Sequence, residues 1–182
     1  SELEELIRRL KELNKDVNEK HKRLIEELEK LNRDINERHK ELIEELERLL
    51  RRLEKLLRDG NRSSELMERI RRLIERVRDE NRKSLETLKR LSDDIERKNR
   101  ESLKRLKELT DEARKRLEDI PLSEDLRREA ERVLRESEEN IKELEDRSRD
   151  ALRRSEENIR RLKKESEDVL REARREVERL ER

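Results

Sequence analysis

The sequence predicts an all-α protein: a straight, antiparallel, up-down-up three-helix bundle with helices of about 57 residues each. Three observations predict it. Of 182 residues 58% are charged, yet 46 Leu, Ile and Val recur among them at helical spacing. Only one Gly and one Pro interrupt that spacing, each inside a short loop segment. A repeat of 18 residues runs along each of the three segments so marked off.

So charged a chain must first be shown to fold. Its 53 Lys and Arg balance 52 Asp and Glu to a net charge of +1, so self-repulsion is small. Leu, Ile and Val stand above the roughly 20% at which disorder becomes the default. In the first third, apolar or small polar residues mark one helical face from Leu3 through Leu10, Val17, Leu24, Leu28, Ile35, Leu42, Leu46 and Leu53 to Leu57. The intervening Glu, Lys and Arg are good helix formers.

The first helix is predicted over residues 2–58, opening on the capping-box pattern Ser1-Glu2-Leu3-Glu4. Gly60, in the loop 59–63, supplies the left-handed residue that ends it, and Ser63 or Ser64 caps the next helix. That helix is predicted over 64–118. Pro121 then forces Ile120 out of helical geometry in the loop 119–123. Ser123 caps the third helix, predicted over 124–181, with Glu124 and Asp125 in its first turn. Two loops this short make neighbours antiparallel, within a single domain spanning 1–182.

The repeat fixes more than length. Lys11–Leu28 recurs at Glu29–Leu46. The second helix carries Asn81, Ser84 and Leu85 again as Asn99, Ser102 and Leu103, and the third carries Ser137, Asn140 and Ile141 again as Ser155, Asn158 and Ile159. Eighteen residues are five turns of an ideal helix, so the stripe runs without supercoiling, where a strict heptad would wind left-handed. The stripe covers about 140–160° of the first helix and about 120° of the others, as in a helix set between two neighbours. A monomeric rod follows, a homo-oligomer being the alternative.

What interrupts the stripe is informative. The first helix places Asn14, Asn18, His21, Asn32, Asn36 and His39 on it; the second, Asn81, Ser84, Ser92, Asn99, Ser102 and Thr110; the third, Ser137, Asn140, Ser148, Ser155, Asn158 and Ser166. Antiparallel packing pairs first- and second-helix residues whose numbers total about 121, and second- and third-helix residues totalling about 241. On that register His21 joins Asn18, Asn99, Ser102, Ser137 and Asn140 in one layer. His39 joins Asn36, Asn81, Ser84, Ser155 and Asn158 in another, and Asn32, Ser92 and Ser148 form a third. A buried polar group without a partner costs about 1–3 kcal/mol, so the three helices' polar residues are expected to bond one another and to fix register. The alternative role is pH sensing: a proton added to buried His places a charge in the core and erodes stability below about pH 6.5.

Composition excludes much else. Without Cys there is no disulfide, thiolate site or Cys nucleophile, and without Phe, Trp or Tyr there is nothing for bases or sugars to stack on. One Gly leaves no phosphate-cradling loop. His21 and His39 lie about 27 Å apart along one helix and cannot share an ion. Asn18 and Asn36 stand where a di-iron bundle has Glu, so no metal is expected. Ser102 with His21 imitates a nucleophile and base, but no core carboxylate or oxyanion hole supports them, and the chain is expected not to be an enzyme. No cofactor, small-molecule ligand, nucleic acid or membrane is expected either: acidic residues interleave the basic ones, and no apolar face is left over. Asn61-Arg62-Ser63 is a chance glycosylation triplet, and no targeting signal gives a compartment beyond recombinant production in cytoplasm.

The matched helices, short loops, Glu/Lys/Arg surface, absence of aromatics and layered Asn/Ser/His core resemble computationally designed helical bundles with buried hydrogen-bond networks. The resemblance covers the whole chain. It implies a scaffold with no natural partner or pathway. Within that family, His-containing networks have served pH-driven changes, usually at subunit interfaces; here both His layers lie in one chain.

Overall fold

A computed structural model describes residues 2–181, and among these the regular structure is three helices: α1 (Glu2–Arg58), α2 (Ser64–Asp119) and α3 (Glu124–Glu181). Each boundary has a local cause. Glu2, Glu4 and Glu5 fill the first turn of α1, where the unpaired N–H groups favour negative charge. Ser1, the proposed cap, lies outside the described residues. At the other end, Gly60 N–H bonds the Leu57 carbonyl at 3.1 Å and Asn61 N–H reaches back to Leu56 at 2.9 Å. This Schellman closure needs a left-handed residue, and Gly60 has φ of 78°. Ser63, rather than Ser64, caps α2: its Oγ accepts from Leu66 N–H at 3.1 Å. Ser123 caps α3 through Leu126 N–H at 3.4 Å.

The helices' contacts divide into two compact units. One comprises Ser1–Leu28 with Leu91–Arg154, the other Glu29–Arg90 with Ser155–Arg182. Each unit has its own three-helix core. In the first, Leu6, Leu10, Leu106, Ala113, Val133 and Leu134 are the centre, with Ile120 and Leu122 of the loop packed against them. The second centres on Leu46, Leu53, Ile70, Val77, Ala173 and Val177. The apolar stripe thus does what its period implies, each helix burying one face against the two others.

Register is where expectation and structure part. His39 and Asn81 meet across α1 and α2 with numbers totalling 120, close to the expected 121. Across α2 and α3, Thr110 meets Ser137, Asn99 meets Ser148 and Asn81 meets Ser166, and each pair totals 247 rather than 241. The reason lies in the second loop. Ile120 N–H still bonds the Arg116 carbonyl, and Arg127 of α3 reaches the Ile120 carbonyl. The chain therefore continues past the end of α2 before reversing near Ser123, and does not turn about Pro121. That moves α3 by six residues along α2.

Candidate functional site: the buried polar layers

The first unit holds two polar layers. In one, Asn140 Nδ2 donates to Asn14 Oδ1 at 2.9 Å, and Asn14 Nδ2 donates to Ser137 Oγ at 3.0 Å and to the Leu10 carbonyl at 2.9 Å. Ser137 and Thr110 hydroxyls are 2.9 Å apart. Thr110 donates to the Leu106 carbonyl at 2.7 Å, so Ser137 is the donor between the two hydroxyls. Both amide hydrogens of Asn14 and both hydroxyl hydrogens have acceptors, and all three helices contribute. In the other layer, Asn99 Nδ2 donates to Ser148 Oγ at 2.7 Å, and Ser148 faces His21 Nε2 at 3.5 Å. Ser148 accepts from Asn99 and still has both a hydrogen and a second lone pair with which to face Nε2.

The second unit repeats both layers eighteen residues on. Asn158 Nδ2 donates to Asn32 Oδ1 at 2.7 Å and Asn32 Nδ2 to Ser155 Oγ at 3.4 Å, while Arg161 holds Asn158 Oδ1 at 2.8 Å. His39 Nδ1 meets Asn81 Oδ1 at 3.2 Å, and Asn81 Nδ2 donates to Ser166 Oγ at 2.5 Å. Ser92, the repeat's counterpart of Thr110, falls in the first unit, and is buried and partnered.

Several residues fall elsewhere than the sequence register placed them. Ser137 and Asn140 join Asn14 rather than His21, and Ser155 and Asn158 join Asn32 rather than His39, as the six-residue offset requires. Ser148 belongs with His21, not Asn32. Asn18 is exposed, because at 100° per residue it sits roughly 80° off the centre of the buried face. Ser84 and Ser102 are half-buried flank residues, and among the described bonds neither joins a layer. Asn36 is half-buried with Oδ1 shielded and without a hydrogen-bond partner. Asn99 with His21 and Asn81 with His39 are brought together as the numbering suggested. Thr110 and Ser166 complete layers to which the sequence register did not assign them.

The two His layers differ in one charged neighbour. In the first unit Arg147 of α3, ion-paired with Glu143, lies beside His21; in the second Glu165, paired with Arg161 at 3.3 Å, lies 3.6 Å from His39 Nε2. Under the repeat Glu143 corresponds to Arg161 and Arg147 to Glu165, so one salt bridge recurs with its polarity reversed. Burial, and secondarily the Arg147 charge, hold the His21 imidazole below its ordinary 6.5. The exchange was legible in the sequence once the repeat was compared position by position.

With this geometry in view, the chain has likenesses among solved structures. A solved structure described as a "Computationally designed three helix bundle" is 23% identical, with a TM-score of 0.50, over 98% of this chain and 93% of its own. The fold is a three-helix bundle. No family model matches the chain, and no curated protein does. Among the described residues no helix is long and apolar enough to cross a membrane, and no three His, Cys, Asp or Glu cluster to hold a metal ion.

Proposed function

We propose that this chain is a designed scaffold, without catalytic activity or natural partner, whose buried polar layers specify helix register and packing. The observation that carries the reading is the Asn140–Asn14–Ser137–Thr110 chain, which takes side chains from all three helices and joins them by consecutive hydrogen bonds. Such a layer contributes little net stability, since each bond replaces one to water and is worth about 1 kcal/mol. Its effect is on alternatives: a slipped helix sets these groups against Leu, at about 1–3 kcal/mol for each one stranded. The likeness to a designed three-helix bundle supports the same reading. Replacing this layer with apolar residues is the test. The variant is expected to remain helical but to lose amide-exchange protection and NMR dispersion; an equally well-ordered variant would remove the layer's role.

A second reading is favoured at His21, where burial and Arg147 both oppose a proton. The other groups facing it, Asn99 of α2 and Ser148 of α3, are uncharged. A proton there makes both ring nitrogens donors, so Ser148 Oγ has to accept from Nε2 as well as from Asn99. Acid then destabilises the bundle, or releases an assembly if the chain self-associates. Light-scattering mass after size exclusion at pH 7.5 and pH 5 separates the cases. A mass near 22.6 kDa at both values means a monomer whose stability alone responds. A multiple that collapses at pH 5 means that the interface lies between chains.

A further inference from the structure

We propose that the groove between α1 and α3 at His39 binds one divalent metal ion of the zinc class, through His39 Nε2, the Glu165 carboxylate and Asn36 Oδ1. The inference starts from hydrogen-bond bookkeeping. Asn81 Nδ2 donates to Ser166, which leaves its amide oxygen facing His39 Nδ1, and an amide oxygen only accepts. Nδ1 therefore carries a hydrogen, and whenever the ring is neutral Nε2 presents a lone pair. That lone pair faces Glu165 Oε2 at 3.6 Å, one acceptor against another. Asn36 Oδ1, one helical turn before His39, is a third acceptor, shielded from solvent and bonded to nothing. All three residues line one groove of about 400 Å³.

A cation between His39 Nε2 and Glu165 Oε2 gives both acceptors a partner, and Asn36 Oδ1, from the preceding turn of α1, becomes the third ligand when its amide turns to the ion. Imidazole nitrogen and carboxylate oxygen bind Zn²⁺ at about 2.0–2.2 Å, which puts two such ligands about 3.3 Å apart at the tetrahedral angle. The gap of 3.6 Å reaches that by a small rotation of Glu165, whose side chain is half-exposed. Supporting contacts exist: Asn81 fixes the His39 tautomer and Arg161 holds the other Glu165 oxygen at 3.3 Å. Lys40, Glu44 and Arg161 also line the groove, so its charged residues balance in sign, and Arg161 is already engaged with Glu165 and Asn158. Water completes the coordination. The His21 layer is a built-in control, because Arg147 occupies the position of Glu165 and Asn18 is exposed.

With only two His in the chain, imidazole ¹H–¹⁵N correlation NMR reads the site directly. Zinc chloride alone is titrated into the full chain at pH 7.5 in a non-chelating buffer. The His39 ring nitrogens are expected to shift and to saturate at one ion per chain, with His21 unmoved. Glu165→Arg, which copies the first unit at a half-exposed position, is expected to abolish the shift while circular dichroism stays unchanged. Asn36→Leu is expected to weaken binding at least threefold, and His21→Asn to leave it intact. No response of His39 up to millimolar zinc would mean that a proton alone fills the gap, and would overturn the proposal. So would equal shifts at both His, or a shift that survives Glu165→Arg. Unchanged affinity in Asn36→Leu would overturn the three-ligand assignment.

Discussion

Replacing Ser137 with Ala, alone and together with Thr110→Val, separates a bonded layer from a set of tolerated polar residues. Both positions are nearly inaccessible, 1% and 2% exposed. In Ser137→Ala, Thr110 keeps its bond to the Leu106 carbonyl, and half-buried Asn14 loses one of its two acceptors but keeps the Leu10 carbonyl. The expected cost is about 1 kcal/mol, less a few tenths returned by the better helix propensity of Ala. In Thr110→Val, Ser137 loses the acceptor for its hydrogen inside the core, at about 1–2 kcal/mol. The double variant removes both ends of that bond and strands nothing new. It is expected to cost no more than Thr110→Val alone, a coupling of about 1 kcal/mol. Guanidinium unfolding followed by far-UV circular dichroism at pH 7.5 measures all four chains. Additivity of the two single costs within about 0.3 kcal/mol would refute the bonded layer.

Other expectations follow from the same contacts. His21, held below its ordinary 6.5 by burial and Arg147, binds its proton more readily when unfolded, so stability is full above about pH 6.5 and falls as pH drops towards the folded value. The unfolding midpoint at pH 4.5 relative to pH 7.5 is expected to drop less in His21→Asn and in Arg147→Glu than in the parent; equal drops would remove His21 from the acid response. Gly60→Ala places a side chain at φ of 78° where no atom crowds it, so the cost is conformational, about 1–2 kcal/mol by thermal or guanidinium unfolding. Asn36→Leu, measured with a chelator present, is expected to stabilise by about 1 kcal/mol, because it removes a shielded oxygen that bonds nothing. Leu106→Ala, at a position with no exposure in the first core, is expected to cost about 2–5 kcal/mol.

Much of the fold was written in the period of the apolar residues, and the helix ends in Gly60, Ser63 and Ser123. The α1–α2 register was legible too, because Gly60 ends α1 abruptly and the chain reverses within the loop. Between α2 and α3 it was not. Pro121 marks where helical geometry must stop but not where the chain turns, and the continued run through Ile120 to Ser123 shifted every partner by six residues. That one error accounts for the misplacement of Ser137, Asn140, Ser148, Ser155 and Asn158. Asn18, Ser84 and Ser102 failed differently: periodicity puts them near the stripe, and side-chain burial at its edge depends on which neighbour covers it. Arg147 and Glu165 were hidden among dozens of surface charges and stand out only when one His layer is laid on the other.

The central claim is that the polar layers choose the register, and a distance distribution tests it most directly. The chain has no Cys, so spin labels introduced at the exposed positions Glu101 and Asp146, level with each other across α2 and α3, are unambiguous. Double electron–electron resonance on the parent is expected to give one narrow distance. With the polar residues of both units' layers replaced together (Asn14, His21, Asn32, His39, Asn81, Asn99, Asn140 and Asn158 by Leu, Thr110 by Val, and Ser92, Ser137, Ser148, Ser155 and Ser166 by Ala), the distribution is expected to broaden. It is also expected to gain a component displaced by about one helical turn, 5.4 Å. The same single narrow distance in that variant would contradict the claim, and would place register in the loops and the apolar packing alone.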